Sequence, residues 1–344
     1  MTPAAQMTTE MDEQPRVLAA LAGRRAALVE RVRAVLPEAP AGVVLVARGS
    51  SDNAAIFGRY VLELATRRPV ALAAPSLITR YGLHGDLGGW LAVGISQSGR
   101  TPEIVTVLEQ LRGSGARTVA ITNDAGSALA EVAEATIDTA AGDELAVPAT
   151  KTVTAQVAAL ALVAEAAARQ TEVPWDAADW DALPAAVQRV LDDEDPARRA
   201  AEAIGDAPGL VVAARGILLG AALESALKLK ETSGILAEGV SAADFLHGPI
   251  AVVRRGLPVI TLSSPGPAAA DISRLAEAVA ERGGRVIACA PGEDADLPLP
   301  ADVPEGLASI PAIVRAQQVA RALALHRGVD PDAPFGLSKV TETR

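Results

Sequence analysis

The stretch Leu223-Glu224-Ser225-Ala226-Leu227-Lys228-Leu229-Lys230-Glu231 carries ionisable side chains at positions 224, 228 and 231, spaced i, i+4 and i+7. On a helix that spacing puts all three on one face. Two readings share the pattern. One is a solvated face on which Glu224 pairs with Lys228. The other is a carboxylate beside an amine in a cleft, where each tunes the other's pKa and the two work as a general acid and base. Further on, Phe245-Leu246-His247-Gly248-Pro249 puts His247 on a turn flanked by Gly and Pro, a more rigid setting for proton transfer. His84 and His326 have no polar cluster around them in sequence and read as surface or structural. No two histidines carry metal-ligand spacing, so no metal is expected.

A different chemistry is suggested by Ser96-Gln97-Ser98-Gly99-Arg100-Thr101-Pro102. The run follows an apolar strand pattern and precedes a helical pattern from Pro102 to about Leu111, with Thr101 suited to the cap and Pro102 to the first turn. A helix N-terminus leaves backbone N–H groups unpaired and partly positive, a ready anion site. Three hydroxyls and an amide there suit phosphate oxygens; an ordinary Ser/Thr-rich cap is the competing reading. Gly49-Ser50-Ser51-Asp52-Asn53 is a second loop of this kind. In open α/β sheets ligands sit outside the carboxyl ends of strands, so the two polar loops point into one crevice. Neither shows G-x-G-x-x-G, and no G-x-x-x-x-G-K-[ST] occurs, which favours a small phosphorylated metabolite over a nucleotide and leaves no cofactor expected.

The elements that must position these residues are written twice. Val43-Val44-Leu45-Val46-Ala47-Arg48-Gly49 is echoed by Leu210-Val211-Val212-Ala213-Ala214-Arg215-Gly216. Each run leads into an Ala/Leu-rich helical stretch, and Leu91–Ile95 pairs loosely with Val259–Leu262. Short apolar runs alternating with helical patterns predict an α/β chain of two tandem domains, each a doubly wound parallel sheet flanked by helices. The expected organisation is an N-terminal helical segment over 1–35, with its helix from about Pro15 to Val35, and a first domain over 36–170 holding the phosphate loops. A linker follows over 171–190, then a second domain over 191–329 with the helix and His loop, and a Pro-rich tail over 330–344.

Composition narrows the class. The 344 residues carry 31 Lys and Arg against 42 Asp and Glu, a net charge of -11, with only three Phe, three Trp and two Tyr. Such a chain lacks the basic footprint and stacking rings of a nucleic-acid binder, and its cores must be aliphatic. The single cysteine, Cys289, rules out an internal disulfide, and its apolar neighbours mark it as a buried structural thiol. No signal-peptide pattern opens the chain, and the longest apolar stretch is broken by Glu165. A cytoplasmic protein with no membrane partner is expected.

These segments together resemble the sugar-isomerase (SIS) family, in its branch formed by the isomerase half of glutamine–fructose-6-phosphate aminotransferases. Glu10-Met11-Asp12-Glu13-Gln14-Pro15 resembles the opening of that half, and Ile95–Gly99 its phosphate loop. Ala149-Thr150-Lys151 is similar to its third substrate-contacting segment, and Ala222–Glu231 with His247-Gly248-Pro249 to its catalytic stretch. Leu337-Ser338-Lys339-Val340-Thr341 is similar to its tail. The resemblance implies a phosphorylated (amino)hexose held by Ser96, Gln97, Ser98 and Thr101, with Ser50, Ser51, Val147 and Ala149 also lining it. It implies that Glu231 moves the proton between C1 and C2, that Lys228 assists, and that His247, from the partner subunit of a homodimer with shared active sites, opens the ring. Lys339 would face the open-chain carbonyl and be able to form a Schiff base. An open-chain aldose with a proton alpha to its carbonyl needs such a carboxylate and a cation beside the developing enediolate.

The departures from that pattern shape the expected function. No glutaminase half is present in this sequence, so glutamine is not expected to supply nitrogen. An acid of the phosphate loop is replaced by Arg100, a Ser by Ala149, and the acid–basic pair before the His by Asp244 and Leu246. The leading expectation is glucosamine-6-phosphate deaminase/isomerase activity giving fructose 6-phosphate and ammonia. The alternatives are a lyase that eliminates the 3-substituent of N-acetylglucosamine 6-phosphate, and a non-catalytic sugar-phosphate-binding regulator.

Overall fold

The structure, a computed structural model, describes residues 3–168, 172–334, 336, 337 and 339. The chain opens with α1 (Ala5–Asp12) and α2 (Gln14–Arg33) and continues β1 (Gly42–Val46), α3 (Ser50–Thr66), β2 (Val70–Leu72), α4 (Pro75–Thr79), β3 (Trp90–Ile95), α5 (Pro102–Gly113), β4 (Arg117–Thr122), α6 (Ala128–Val132) and β5 (Ala135–Asp138). Three helices follow, α7 (Lys151–Ala167), α8 (Ala177–Asp192) and α9 (Asp195–Ile204). The repeat then begins again with β6 (Gly209–Ala214), α10 (Leu219–Ser233), β7 (Leu236–Ser241), α11 (Ala242–Leu246), β8 (Pro258–Leu262), α12 (Ala269–Glu281), β9 (Arg285–Pro291), β10 (Leu297–Leu299) and α13 (Ser309–His326).

Two compact units form. The first-sheet unit comprises 16–143 and 152–176; the second-sheet unit comprises 1–15, 144–151 and 177–339. In the first, five parallel strands run in the order β2-β1-β3-β4-β5, with Val43 opposite both Val70 and Leu91. In the second the order is β7-β6-β8-β9-β10, again all parallel, with Val211 opposite Val259. Matched strand for strand the two orders are identical, so the sequence repeat is a topological one. Both are the doubly wound order whose switch point lies between the first and third strands. β1 is buried along its whole length, as expected of parallel strands covered on both faces. Val44, Val46, Ile104, Val107 and Leu108 form one aliphatic core, and Val211, Phe245, Val259, Leu275 and Val279 another.

Three expectations are corrected. The helix expected from about Pro15 to Val35 is present as α2, but the N-terminal segment expected over 1–35 is divided after Pro15, and α1 belongs to the second-sheet unit. The stretch expected as a linker, 171–190, is helical from Ala177 onward. Trp180, Leu183, Ala186, Val187 and Val190 recur at helical spacing and are all buried, so the apolar period outweighs the Asp and Pro content. The short segment 144–151 belongs to the second-sheet unit rather than to the domain around it in sequence. No helix among the described residues is long and apolar enough to cross a membrane.

Cys289 lies inside β9 and is 1% exposed, and burial pushes its thiol up to about 12. A thiol held neutral and out of reach does not react. Native protein is expected to leave an aromatic disulfide reagent unconsumed, and denatured protein to titrate one thiol; prompt reaction of the native chain would contradict this burial.

Candidate active site

In the first-sheet unit the two polar loops follow β1 and β3, which pair directly (Val46 opposite Gly94), so both leave the sheet at its switch point. Ser50 opens α3 and Ser51 is buried in its first turn, while Gly49 before them has φ +60. In the second loop Ser96 is 6% exposed, its hydroxyl accepts from the Gly99 N–H at 3.2 Å and lies 3.3 Å from the Thr101 hydroxyl. Ser98 accepts from the Arg100 N–H at 3.2 Å, and Gln97 is half-buried. Thr101 occupies the N-cap position of α5 as expected, but its side chain caps no helix amide. It is turned toward Ser96, so the first turn of α5 keeps its partial positive charge for another acceptor. Arg100 is 75% exposed and pairs with Asp124 at 2.9 Å. That hydrogen bond, with the Gly126 N–H and the Arg100 charge, holds the Asp124 carboxyl below the usual carboxylate range.

Thr122 and Ser127 back this loop, and sequence reasoning missed them. Gly99 has φ +62, and a Cβ there would lie 2.0 Å from the Ser127 hydroxyl and 2.7 Å from that of Thr122. The only trace in sequence is Gly99 itself between polar residues. Gly99→Ala is expected to distort the loop and raise KM for a sugar phosphate about tenfold, equivalent to ~1.4 kcal/mol, with a smaller effect on kcat. An unchanged KM would count against a phosphate-binding role for this loop.

In the second-sheet unit α10 carries Glu224, Lys228 and Glu231 as the spacing predicts, but not as a solvated face. The Glu224 and Lys228 side chains are each 1% exposed and pair at 3.4 Å, and Lys228 also donates to Glu231, which is 24% exposed. Burial alone would push the Lys228 ammonium down; Glu224, Glu231 and Glu144 outweigh it and hold its pKa above that of an ordinary lysine. Glu231 is thus a partly accessible carboxylate backed by a buried ammonium that its acidic neighbours favour in the charged form. This fits a proton carrier and an enediolate stabiliser side by side.

Glu144, which sequence reasoning did not single out, joins this cluster to the tail. Its side chain is fully buried, it accepts from the Thr150 N–H at 2.8 Å, and it pairs with Lys339 Nζ at 3.0 Å. Lys339 also donates to the Ala146 carbonyl at 2.6 Å. Val147 and Ala149 are half-buried in the same 144–151 segment, which Lys151 closes with an ion pair to Glu13 at 2.8 Å. The structure therefore gathers Lys228 with Glu231, and Lys339 with the segment bearing Val147 and Ala149. It does not bring His247 to them: that residue is exposed at the end of α11, and its imidazole makes no hydrogen bond or ion pair among the described residues. Ser338 and Val340 to Thr341 of the tail lie outside the described residues.

The chain is thus two tandem α/β domains of one topology, with polar loops at a switch point of the first sheet and a buried Lys–Glu cluster beside the second. The SIS domain model matches residues 39–166 and 204–303, and the chain belongs to that family. It is 33% identical over 307 residues to the isomerizing glutamine–fructose-6-phosphate aminotransferase of Pyrococcus horikoshii, covering 86% of this chain and 51% of that protein. The chain thus spans about half the length of the curated relatives it matches. A crystal structure from Silicibacter pomeroyi DSS-3, of a protein assigned as a phosphosugar isomerase, superposes with TM-score 0.85 at 35% identity, covering 95% of this chain and 99% of that one. The C-terminal domain of the glucosamine-fructose-6-phosphate aminotransferase of Francisella tularensis superposes with TM-score 0.83 at 25% identity, covering 94% and 97%. The resemblance to the isomerase part of the aminotransferases therefore extends over nearly the whole chain.

Proposed function

We propose that this protein is a phosphosugar enzyme of the isomerase kind, which opens the ring of an aminohexose 6-phosphate and moves the C2 proton. Its reaction is the deaminating isomerisation of glucosamine 6-phosphate: sugar phosphate and water give fructose 6-phosphate and ammonia. The observation that carries this reading is Lys228, buried and held charged between Glu224 and Glu231. The relatives' names support the substrate class, since the aminotransferases act on fructose 6-phosphate.

In this reading the phosphate is held by Ser96, Gln97, Ser98 and Thr101, with Ser50 and Ser51 beside it. His247 of the partner subunit in a homodimer opens the ring. Glu231 takes the C2 proton from the open-chain aldose, and the Lys228 ammonium stabilises the negative charge that develops on the C1 oxygen. Return of the proton to C1, with a proton passing from the amine nitrogen to the C1 oxygen, leaves a C1 hydroxyl and an imine at C2. Water, or Lys339 followed by water, replaces the nitrogen there and ammonia leaves.

The test is a pair of NMR time courses, with glucosamine 6-phosphate and with its N-acetyl form. Ammonia and fructose 6-phosphate from the free amine support the proposal. Vinyl signals from the N-acetyl sugar without ammonia would replace it with a lyase, because an acylated nitrogen cannot form the imine. Tight binding of either sugar without turnover would make the protein a regulator.

A further inference from the structure

The contacts that place Lys339 form a path leading back to the opposite end of the chain, all within the second-sheet unit. Helix α1 begins on two carboxylates of the C-terminal segment. The Ala4 N–H donates to Asp330 at 3.0 Å, and the Gln6 and Met7 N–H groups donate to the two oxygens of Asp332 at 2.8 Å each. These satisfy orphan donors of the first turn and put negative charge at the positive end of the helix. One turn on, Glu10 is 1% exposed. Its carboxylate accepts from the Leu145 N–H, from the Ala146 N–H at 3.2 Å and from the Gln6 amide at 2.9 Å. Ala146, held by its N–H, offers its carbonyl to Lys339 Nζ at 2.6 Å, and neighbouring Glu144 takes the same ammonium at 3.0 Å. Helix α1 therefore touches the C-terminal segment at Asp330 and Asp332, and reaches Lys339 through 144–146.

A buried carboxylate that accepts from adjacent backbone amides is a costly group to place unless those amides must stay where they are. Van der Waals packing of α1 through Met7 and Met11, both fully buried, would hold the helix without it. Glu10 adds direction: it sets the backbone of 145–146, and with it the two acceptors that receive Lys339. We infer that Glu10 and Asp332 are positioning residues for Lys339, and that α1 is a latch making the placement of that amine depend on the N-terminal segment. The inference rests on the proposed role of Lys339 at the substrate carbonyl.

The test uses Glu10→Gln and Asp332→Asn in the full chain, checked for fold by circular dichroism, with two readouts. The first needs no substrate: the rate at which a water-soluble amine reagent modifies Lys339, read by peptide mass. It is expected to rise several-fold in both variants and to be unchanged in Arg198→Ala, on the exposed face of α9. The second is turnover of glucosamine 6-phosphate, where kcat is expected to fall about 10- to 100-fold with KM little altered, as for a reacting group displaced by roughly 1 Å. Unaltered Lys339 modification in both variants overturns the inference. A silent wild type with the modification contrast intact overturns the proposed function and leaves the latch standing. Should the variants not fold, amide hydrogen exchange of the wild-type protein decides: protection of Leu145 and Ala146 equal to that of α1 supports the latch, and exchange at open-loop rates overturns it.

Discussion

Glu231→Gln is expected to lower turnover by about 10²- to 10⁴-fold, the span removed with a general acid or base, while leaving fold and sugar-phosphate affinity near wild type. The substitution keeps the size of the side chain and removes its capacity to carry a proton. Glu231 is 24% exposed, so the neutral amide leaves no buried charge stranded on its own account. Its neighbour Lys228 keeps Glu224 as partner. The loss should therefore appear in kcat rather than in stability, measured by steady-state kinetics beside a thermal melt. Full turnover by this variant would remove Glu231 from the chemistry.

Lys228→Met has the opposite signature, a loss of activity joined to a loss of fold stability. Removing one partner of a buried ion pair leaves the other charge uncompensated, at a cost of about 3–5 kcal/mol. Here the group left behind is Glu224, whose side chain is 1% exposed. A denaturant titration should show this loss in the midpoint. The double variant Glu224→Leu, Lys228→Met should recover most of the stability, because both charges then leave the interior together, and none of the activity. A single variant as stable as wild type would contradict the buried pairing. The pH dependence has a definite sign. The folded pKa of Lys228 lies above the ordinary lysine value, so its stabilisation is complete below about pH 10 and is lost as pH rises through the raised value. The neutral range therefore contains no limb due to this group.

Much of this was legible in the residues because it is local. The i, i+4, i+7 spacing of Glu224, Lys228 and Glu231 places them on one face of α10, and the twin Ala-Arg-Gly runs mark β1 and β6 as equivalent strands. Spacing left open whether that face meets solvent, since burial of Glu224 and Lys228 depends on what packs over them. The Thr101 reading was right in position and wrong in partner, because a cap hydroxyl can turn to a neighbouring hydroxyl as readily as to a helix amide. Trp180 among Asp residues looked like a linker because composition was read ahead of its apolar period. Glu144 and Asp332 carried no signal, and Glu10 appeared only as the first residue of the opening motif, with no role attached to it. Their partners lie far away in sequence, as with Glu144 and Lys339 or Met7 and Asp332, and no local pattern encodes such a pairing.

The most direct measurement is deuterium incorporation at C2 of glucosamine 6-phosphate in D2O, followed by proton NMR with wild type and with Glu231→Gln. Proton transfer by Glu231 on an open-chain aldose predicts loss of the C2 signal with wild type, at least as fast as ammonia appears, and its persistence with the variant. Ammonia release with the C2 proton retained, or equal exchange by both proteins, would contradict it.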